Sequence, residues 1–191
     1  KINNYLNLNS FIAIIIIISF FLGFYLEENS SGGAVDFIHV LNNLNIFHNN
    51  NFFKINWMNY ESSALPLYYV VTSLFYNPEN LIPMRVFCMF LSILSFILFF
   101  LILKMNLKID KSLVFLIASL IFLSPYFRTS SYWMMEENFA ILMILISFYF
   151  YFRLSCKFNY FILFLVIFFS ACAFFSRQNY IFINFILFLL I

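Results

Sequence analysis

Long apolar runs separated by short polar stretches are the dominant pattern of the chain. Six runs are candidate membrane-spanning helices, at residues 11–26, 86–103, 113–127, 139–152, 160–175 and 180–191. A helix needs about 20 residues to cross a bilayer, so we expect flanking Tyr, Ser and Asn residues to complete the shorter runs at the interface. The pattern predicts an all-α, polytopic transmembrane bundle of about six spans, which forms a single domain over residues 1–191.

A seventh apolar run, at residues 62–76, is ambiguous by length, and the charges decide how we interpret it. If it does not cross and the N-terminus is cytoplasmic, seven of the eight acids lie on the non-cytoplasmic side and the basic loops lie inside, as the positive-inside rule requires. If it crosses, the rule holds only with the N-terminus outside. Pro66 near its start suits a segment in the interface. We therefore predict a large first non-cytoplasmic loop at residues 27–85.

Within this loop, residues 34–47 have the pattern of a short amphipathic helix. At 3.6 residues per turn, Asp36, His39 and Asn43 share one stripe of the helix. The opposing stripe is apolar and consists of Phe37, Ile38, Leu41 and Leu44. The pattern predicts a juxtamembrane helix on the membrane surface, with the acid and the histidine facing away from lipid.

The composition favours the bilayer as the solvent of this chain. It is 64% hydrophobic, 24% aromatic and only 9% charged, whereas a soluble domain is about half apolar and a quarter charged. A net charge of +2 without a basic cluster argues against a nucleic-acid partner. The chain begins without Met and ends inside an apolar run, so we expect it to be the N-terminal part of a longer protein.

Two acids of the loop are candidates for chemistry. Asp36 could act as a general base, or it could be a solvated acid that the dipole of its helix stabilises. His39 lies one turn further and could orient Asp36 or bind a phosphate. Glu28 follows the first span and could be a second catalytic acid, although acids at this position also simply mark a span's end. Neither the acids nor the histidines have a metal-ligand spacing.

Three further charged residues suggest a binding site at the same side of the membrane. Glu61 enters an apolar segment, where an acid is unfavourable unless it pairs with another group or is solvated in a functional site. Arg128 and Arg177 lie at the non-cytoplasmic ends of spans and could bind a lipid phosphate or pyrophosphate. They could also extend to ordinary lipid headgroups. Glu136 and Glu137 open the next helix, where the helix dipole explains them and pairing with Arg128 is an alternative.

Three short stretches carry a family resemblance. The stretch Asp-Phe-Ile-His at residues 36–39 looks like an acidic Asp-Glu-x-x-His motif, and residues 57–69 look like a Trp…Pro-Pro-x-x-Tyr segment. Both motifs belong to the first loop of the GT-C superfamily of membrane glycosyltransferases, which the chain resembles. The stretch Ser-Arg-Gln-Asn at residues 176–179 is similar to an Arg-Gln-Thr-Asn stretch of the dolichyl-phosphate-glucose-dependent glucosyltransferases.

The resemblance implies an inverting transfer of a sugar from a polyprenyl-phosphate donor on the non-cytoplasmic face. Asp36 would be the base, with Glu28 as its rival. The residues implied in binding the substrate or the lipid phosphate are His39, Glu61, Arg128, Arg177 and Gln178. No metal ligand is implied, and a divalent cation is left open as a cofactor. The acceptor would be a glycan, a lipid or a protein, and the membrane would be a bacterial inner membrane or the endoplasmic reticulum.

Two other functions fit the sequence. A multi-pass transporter or flippase for a lipid-linked or anionic substrate would also be apolar, although transporters usually place charges at mid-span and break helices with Gly or Pro. Here the charges cluster in loops and at span ends, and only three Gly occur. A structural subunit without an active site is the third interpretation.

Overall fold

The computed structural model describes residues 7–29, 33–49, 60, 62, 65–156 and 158–190, and within these ranges it is all-α without a strand. The all-α prediction is confirmed. The helices are α1 Leu8–Tyr25, α2 Gly33–Asn49, α3 Leu67–Thr72, α4 Ile82–Asn106, α5 Lys111–Ser119, α6 Pro125–Tyr132, α7 Glu136–Cys156, α8 Tyr160–Ser176 and α9 Ile181–Leu190. Short 3-10 turns follow α3 (Ser73–Phe75) and α5 (Leu120–Leu123) and precede α9 (Gln178–Tyr180).

Three of the described helices, α1, α4 and α7, are long and apolar enough to cross a membrane. A fourth span results if α5 and α6 count as one bent segment. The other two predicted spans correspond to α8, with 17 residues, and α9, with 10 residues. Both are shorter than the roughly 20 residues that a helix needs to cross. The structure thus supports three to four spanning helices, fewer than the six that the apolar runs predict. With six residues, α3 is far too short to cross about 30 Å of hydrocarbon.

The surface of α1 is apolar on both its buried and its exposed face. Its buried positions, Ala13, Ile16, Phe20 and Gly23, recur at helical spacing and form one face of the helix. The apolar side chains of the other face are about half exposed, for example Phe11 at 52% and Ile18 at 52%. Burying such a side chain is worth about 1.5–3 kcal/mol, so a wide apolar face of this kind is stable in lipid and costly in water.

The helix over the predicted span at residues 113–127 is not continuous, because it breaks at Ser124. The two pieces, α5 with its 3-10 turn and α6, meet at an angle of 67°. Pro125 at the start of α6 cannot donate a backbone N–H and forces Ser124 into an extended conformation, at φ −65° and ψ 120°. Ser124 then caps α6, where its Oγ accepts a hydrogen bond from the Phe127 N–H at 3.4 Å.

The predicted orientation of α2 also needs correction. We predicted that its apolar stripe would rest on lipid, but Leu44 of that stripe is buried in the protein core, together with Val40 and Phe47. They pack with residues of α3, α4 and α7. Asn43, placed on the polar stripe, is fully buried, whereas Ile38 is 59% exposed. The helix therefore packs the face formed by Val40, Leu44 and Phe47 on the end of the bundle, because this end presents its own apolar surface.

Ion pairs bring the helix ends together at one end of the bundle. Glu27 and Glu28 after α1 pair with arginines of α4 and α6, and the arginine after α8 pairs with the first residues of α7. We call this the acidic end. It carries six described acids: Glu27, Glu28, Asp36, Glu79, Glu136 and Glu137. At the opposite end Asn7 of the α1 cap donates a hydrogen bond to Ser112 of α5 at 2.8 Å.

Candidate functional site

Two adjoining cavities lie at the acidic end, with volumes of about 440 and 260 Å³. Four residues line both of them, namely Asp36, Met135, Glu137 and Arg177. The larger cavity extends along the start of α6, and the smaller one extends toward α3. We call them together the polar cavity pair. They are the place where residues far apart in the sequence come together around an accessible space.

Helix α2 supplies Asp36 and His39 to this site. Both side chains are exposed and one turn apart, Asp36 lining both cavities and His39 the smaller one. The helix is held in place by Val40 and Leu44, which are 4% and 0% exposed. An acid on a rigid helix beside an open cavity has the geometry that a general base needs, since the carboxylate can reach a hydroxyl group of a ligand.

Arg177 supplies the positive charge of the polar cavity pair. It follows α8 in an extended conformation, and its guanidinium forms ion pairs with Glu136 and, at 3.1 Å, with Glu137. Partial burial lowers the pKa of Arg177, but the two glutamates outweigh this effect and hold the pKa above its ordinary value. Arg177 therefore stays charged, and its side chain, 31% exposed, remains accessible from the cavities.

The charges of the site do not balance. Asp36, Glu136 and Glu137 face one arginine, so three negative charges and one positive charge leave −2 when His39 is neutral. An anionic ligand here would need a counter-ion or a proton to compensate. Within the described ranges, no group of three or more His, Cys, Asp or Glu side chains could hold a metal ion. The divalent cation stays a prediction.

Arg128, which we expected to bind phosphate, does not line the polar cavity pair. It is 8% exposed, and all of its N–H groups have protein partners. Its Nε donates to Glu28 at 2.9 Å, Nη1 donates to the Ser19 hydroxyl and the Phe122 carbonyl, and Nη2 donates to the Ser19 carbonyl and to Glu28. Arg128 and Glu28 thus clamp α1, α5 and α6 together. A buried pair of this kind is destabilising when one partner is lost.

Two tyrosines near the smaller cavity stay neutral at physiological pH. Tyr69 lines this cavity, and its hydroxyl donates a hydrogen bond to Ser62 at 3.3 Å. Burial raises the pKa of Tyr69 well above its ordinary value, and burial likewise raises the pKa of Tyr60 to about 12. Tyr69 ends the stretch at residues 57–69 that carries the family resemblance, but it is not among the site residues predicted from the sequence.

An apolar groove of about 650 Å³ runs between α3 and α8. Leu67 and Val70 line one side, and Phe168, Ala171 and Phe175 line the other. Tyr69 of the smaller cavity neighbours Val70 in sequence, and Arg177 lies two residues beyond Phe175. The groove and the polar cavity pair therefore use the same two elements, α3 and the end of α8. An amphipathic ligand with a charged head and an aliphatic chain would match both.

The structure brings together three of the predicted site residues, Asp36, His39 and Arg177. Glu28 and Arg128 pair with each other away from the polar cavity pair, and Gln178 is exposed beside Arg177 without lining either cavity. The prediction for Glu61 falls outside the described residues.

Glu136 and Glu137 had been noted in the sequence as helix-opening acids with Arg128 as an alternative partner. In the structure their partner is Arg177. The sequence does not show which arginine lies close to these two glutamates, because this depends on how the α6–α7 and α8–α9 connections place the helix ends.

Comparison of the chain with protein-family models, with curated proteins and with solved structures finds no match. The geometry of the polar cavity pair is therefore the basis for any functional conclusion.

Proposed function

We propose that the protein is an integral membrane glycosyltransferase that moves a sugar from a polyprenyl-phosphate donor to an acceptor. The observation that carries the proposal is that Asp36 and Arg177, from opposite parts of the chain, line the same two cavities. One is a carboxylate able to accept a proton, and the other is a permanent cation able to bind a phosphate. The apolar groove beside them offers space for the aliphatic chain of the donor.

The reaction would proceed by inversion at the anomeric carbon of the sugar. Asp36 takes the proton of the acceptor hydroxyl, and the acceptor oxygen forms a bond to the anomeric carbon. The bond from that carbon to the phosphate oxygen breaks, and the polyprenyl phosphate leaves with the electron pair. Arg177 stabilises the negative charge that grows on this oxygen, as a preorganised cation does. His39, one turn from Asp36, would position the acceptor.

The same proposal includes the topology. The acidic end would face the non-cytoplasmic side, with a cytoplasmic N-terminus and six crossings in which the shorter α8 and α9 take part. Basic residues at the other ends of α4, α5 and α7 support this orientation through the positive-inside rule, namely Lys104, Lys108, Lys111 and Arg153.

A transfer assay tests the proposal. The purified full-length protein in lipid nanodiscs is given radiolabelled polyprenyl-phosphate hexoses, and labelled product is measured with neutral oligosaccharide, lipid and peptide acceptors. We expect a product with at least one acceptor, and we expect Arg177→Gln to raise the KM for the donor about tenfold or more, since it removes a charge-assisted contact. Arg153→Gln, which removes an exposed arginine at the opposite end, is the matched control and should retain the wild-type KM for the donor.

A transporter or flippase for a lipid-linked or anionic substrate is the second candidate, and the broken helix favours it. The 67° bend between α5 and α6 places the capped start of α6 at the larger cavity, and discontinuous helices of this kind bind substrates in transporters. Movement of a labelled lipid-linked sugar across sealed vesicles without any transfer product would support this function and contradict the first.

A further inference from the structure

A third cavity, of about 410 Å³, lies on the other side of α2. We call it the Trp133 cavity. Helix α2, the turn before α4 and the turn after α6 form its walls. Its lining includes Phe37, Glu79, Asn80, Arg85 and Trp133. Of the site residues predicted from the sequence, none of those that the structure describes lines this cavity.

The Trp133 ring is a rigid aromatic wall. Its Nε1 donates a hydrogen bond to the Glu28 carbonyl at 3.0 Å, and Phe37 packs against the ring edge to face with centroids 5.6 Å apart. The Arg85 guanidinium lies over the ring, 5.8 Å from its centroid. These contacts fix Trp133, and the part of its ring that lines the cavity gives a sugar an apolar wall beside polar groups.

The polar groups of the cavity suit hydroxyl groups. The Glu79 backbone N–H is bonded to Asn77 at 3.0 Å, which orders the loop, while the Glu79 carboxylate has no partner within the described ranges. Asn80 accepts a hydrogen bond from the Ile82 N–H at 3.1 Å through Oδ1, so its NH₂ group can serve a ligand. The carboxylate can accept from two hydroxyl groups and the amide can donate to another.

The charge of the Trp133 cavity selects against anions. Glu27 and Arg85 form an ion pair at 2.6 Å and cancel each other. Glu79 then leaves the lining with one negative charge. A phosphate or a uronic acid would be repelled, whereas a neutral, hydroxyl-rich ligand would meet both an aromatic wall and hydrogen-bonding groups.

The position of the cavity relates it to the acceptor. Phe37 follows Asp36 on α2, so the two neighbouring residues line different cavities on either side of one helix. The apolar groove for the donor lies on the side of α3 and α8, away from this cavity. A glycan seated against Trp133 therefore lies within about one helix diameter of the base, roughly 10 Å.

We propose that the Trp133 cavity binds a neutral glycan and is the remote acceptor subsite of the enzyme. The role of the bound glycan as acceptor rests on the proposed function, whereas the binding of a glycan rests on the cavity alone. It narrows the acceptor from a glycan, lipid or protein to a neutral glycan.

Direct binding tests this inference without any transfer reaction. Saturation-transfer NMR on the full-length protein in nanodiscs measures the binding of maltose, cellobiose and lactose, with glucuronic acid as the anionic comparison. We expect at least one disaccharide to bind, glucuronic acid not to bind, and Glu79→Ala together with Asn80→Ala to weaken Kd about tenfold or more, because several hydrogen bonds are lost. The control Lys108→Ala together with Ile109→Ala, in an exposed loop of the opposite end, should leave Kd unchanged.

Three results would overturn the inference: no disaccharide binds, the double variant binds as the wild type does, or glucuronic acid binds equally well. The two proposals fail separately. Binding of a disaccharide without sugar transfer to any acceptor refutes the glycosyltransferase and leaves the glycan site, whereas transfer without disaccharide binding refutes the glycan site alone.

Discussion

Glu27 and Glu28 show at the residue scale how adjacent acids can hold different helices. Glu27 adopts a left-handed conformation, with φ 52°, and ends α1 in the place where glycine is usual. Its carboxylate reaches Arg85 of α4, while Glu28 reaches the buried Arg128 of α6. A non-glycine residue costs about 1–2 kcal/mol in this conformation, and the ion pair of Glu27 offsets part of that cost. The sequence predicts two acids at the end of a span but not their separate partners.

Gly23 is predicted to be intolerant of any side chain. A Cβ atom at this position would lie 2.7 Å from both the Glu28 carboxylate and the Tyr132 hydroxyl, next to Arg128. We expect Gly23→Ala to lower the free energy of unfolding by about 1–3 kcal/mol, as overpacking does. Denaturant titration in detergent micelles measures the change. Ile18→Ala, on the exposed face of α1, is the control and should have a much smaller effect; equal effects would contradict the packing described here.

Asp110 gives a prediction about pH. Hydrogen bonds from the Ser112 hydroxyl and, at 3.0 Å, from the Ser112 N–H hold the pKa of Asp110 below its ordinary value. A lowered folded-state pKa means that the ionised cap stabilises the protein above the unfolded pKa, about 3.9. This stabilisation is lost as pH falls through the folded pKa.

The expected result is that Asp110→Asn lowers the melting temperature at pH 7, while the difference from the wild type shrinks steadily below pH 4. Thermal denaturation followed by circular dichroism across this range checks it. A difference that grows in acid would have the wrong sign for a depressed carboxyl pKa.

At the scale of elements, the break between α5 and α6 and the packing of α2 shape the acidic end. The sequence predicts the existence of both helices, since apolar runs and helical stripes are local signals. It does not predict that Pro125 turns α6 by 67° or that Val40 and Leu44 pack on protein instead of lipid. An apolar stripe on a helix can pack equally well against protein or lipid, so only the tertiary structure shows which of the two it contacts.

The pair Arg177–Glu136 is expected to couple α8 to α7. Glu136 is 6% exposed, so removal of Arg177 leaves a buried charge with a second carboxylate nearby. A double-mutant cycle with Arg177→Gln and Glu136→Gln should give a coupling free energy of about 1–3 kcal/mol in unfolding experiments. The pair Arg85–Glu27, whose glutamate is 58% exposed, is the control and should couple by about 1 kcal/mol or less. Strict additivity at Arg177–Glu136 would contradict the pairing.

At the scale of the whole molecule, the proposed orientation has a direct consequence. In a background without the native cysteines, Glu79→Cys should react with a membrane-impermeant maleimide from the non-cytoplasmic side of vesicles of known sidedness. Lys108→Cys should react only after permeabilisation, because it lies in a loop of the opposite end. The reverse pattern would place the acidic end in the cytoplasm, and equal labelling of both would show that they share one side.

The charge distribution along the chain is enough to predict an end rich in acids, and the structure assembles such an end from six described acids. The candidate site is predictable only in part. Asp36, His39 and Arg177 share a site because two loops and the packing of α2 bring them together, whereas Arg128 was expected there and instead clamps α1. Long-range pairing of this kind depends on helix packing, which a single sequence does not reveal.

Turnover of Asp36→Asn compared with Glu28→Gln tests the central claim most directly. The account predicts that Asp36→Asn lowers sugar transfer from a polyprenyl-phosphate hexose by about 100-fold or more, the usual loss for a general base, with an unchanged melting temperature. Glu28→Gln should lower the melting temperature, because it breaks the pair with Arg128, yet retain turnover per folded molecule. Wild-type transfer by Asp36→Asn, or loss of transfer in folded Glu28→Gln alone, would contradict the account.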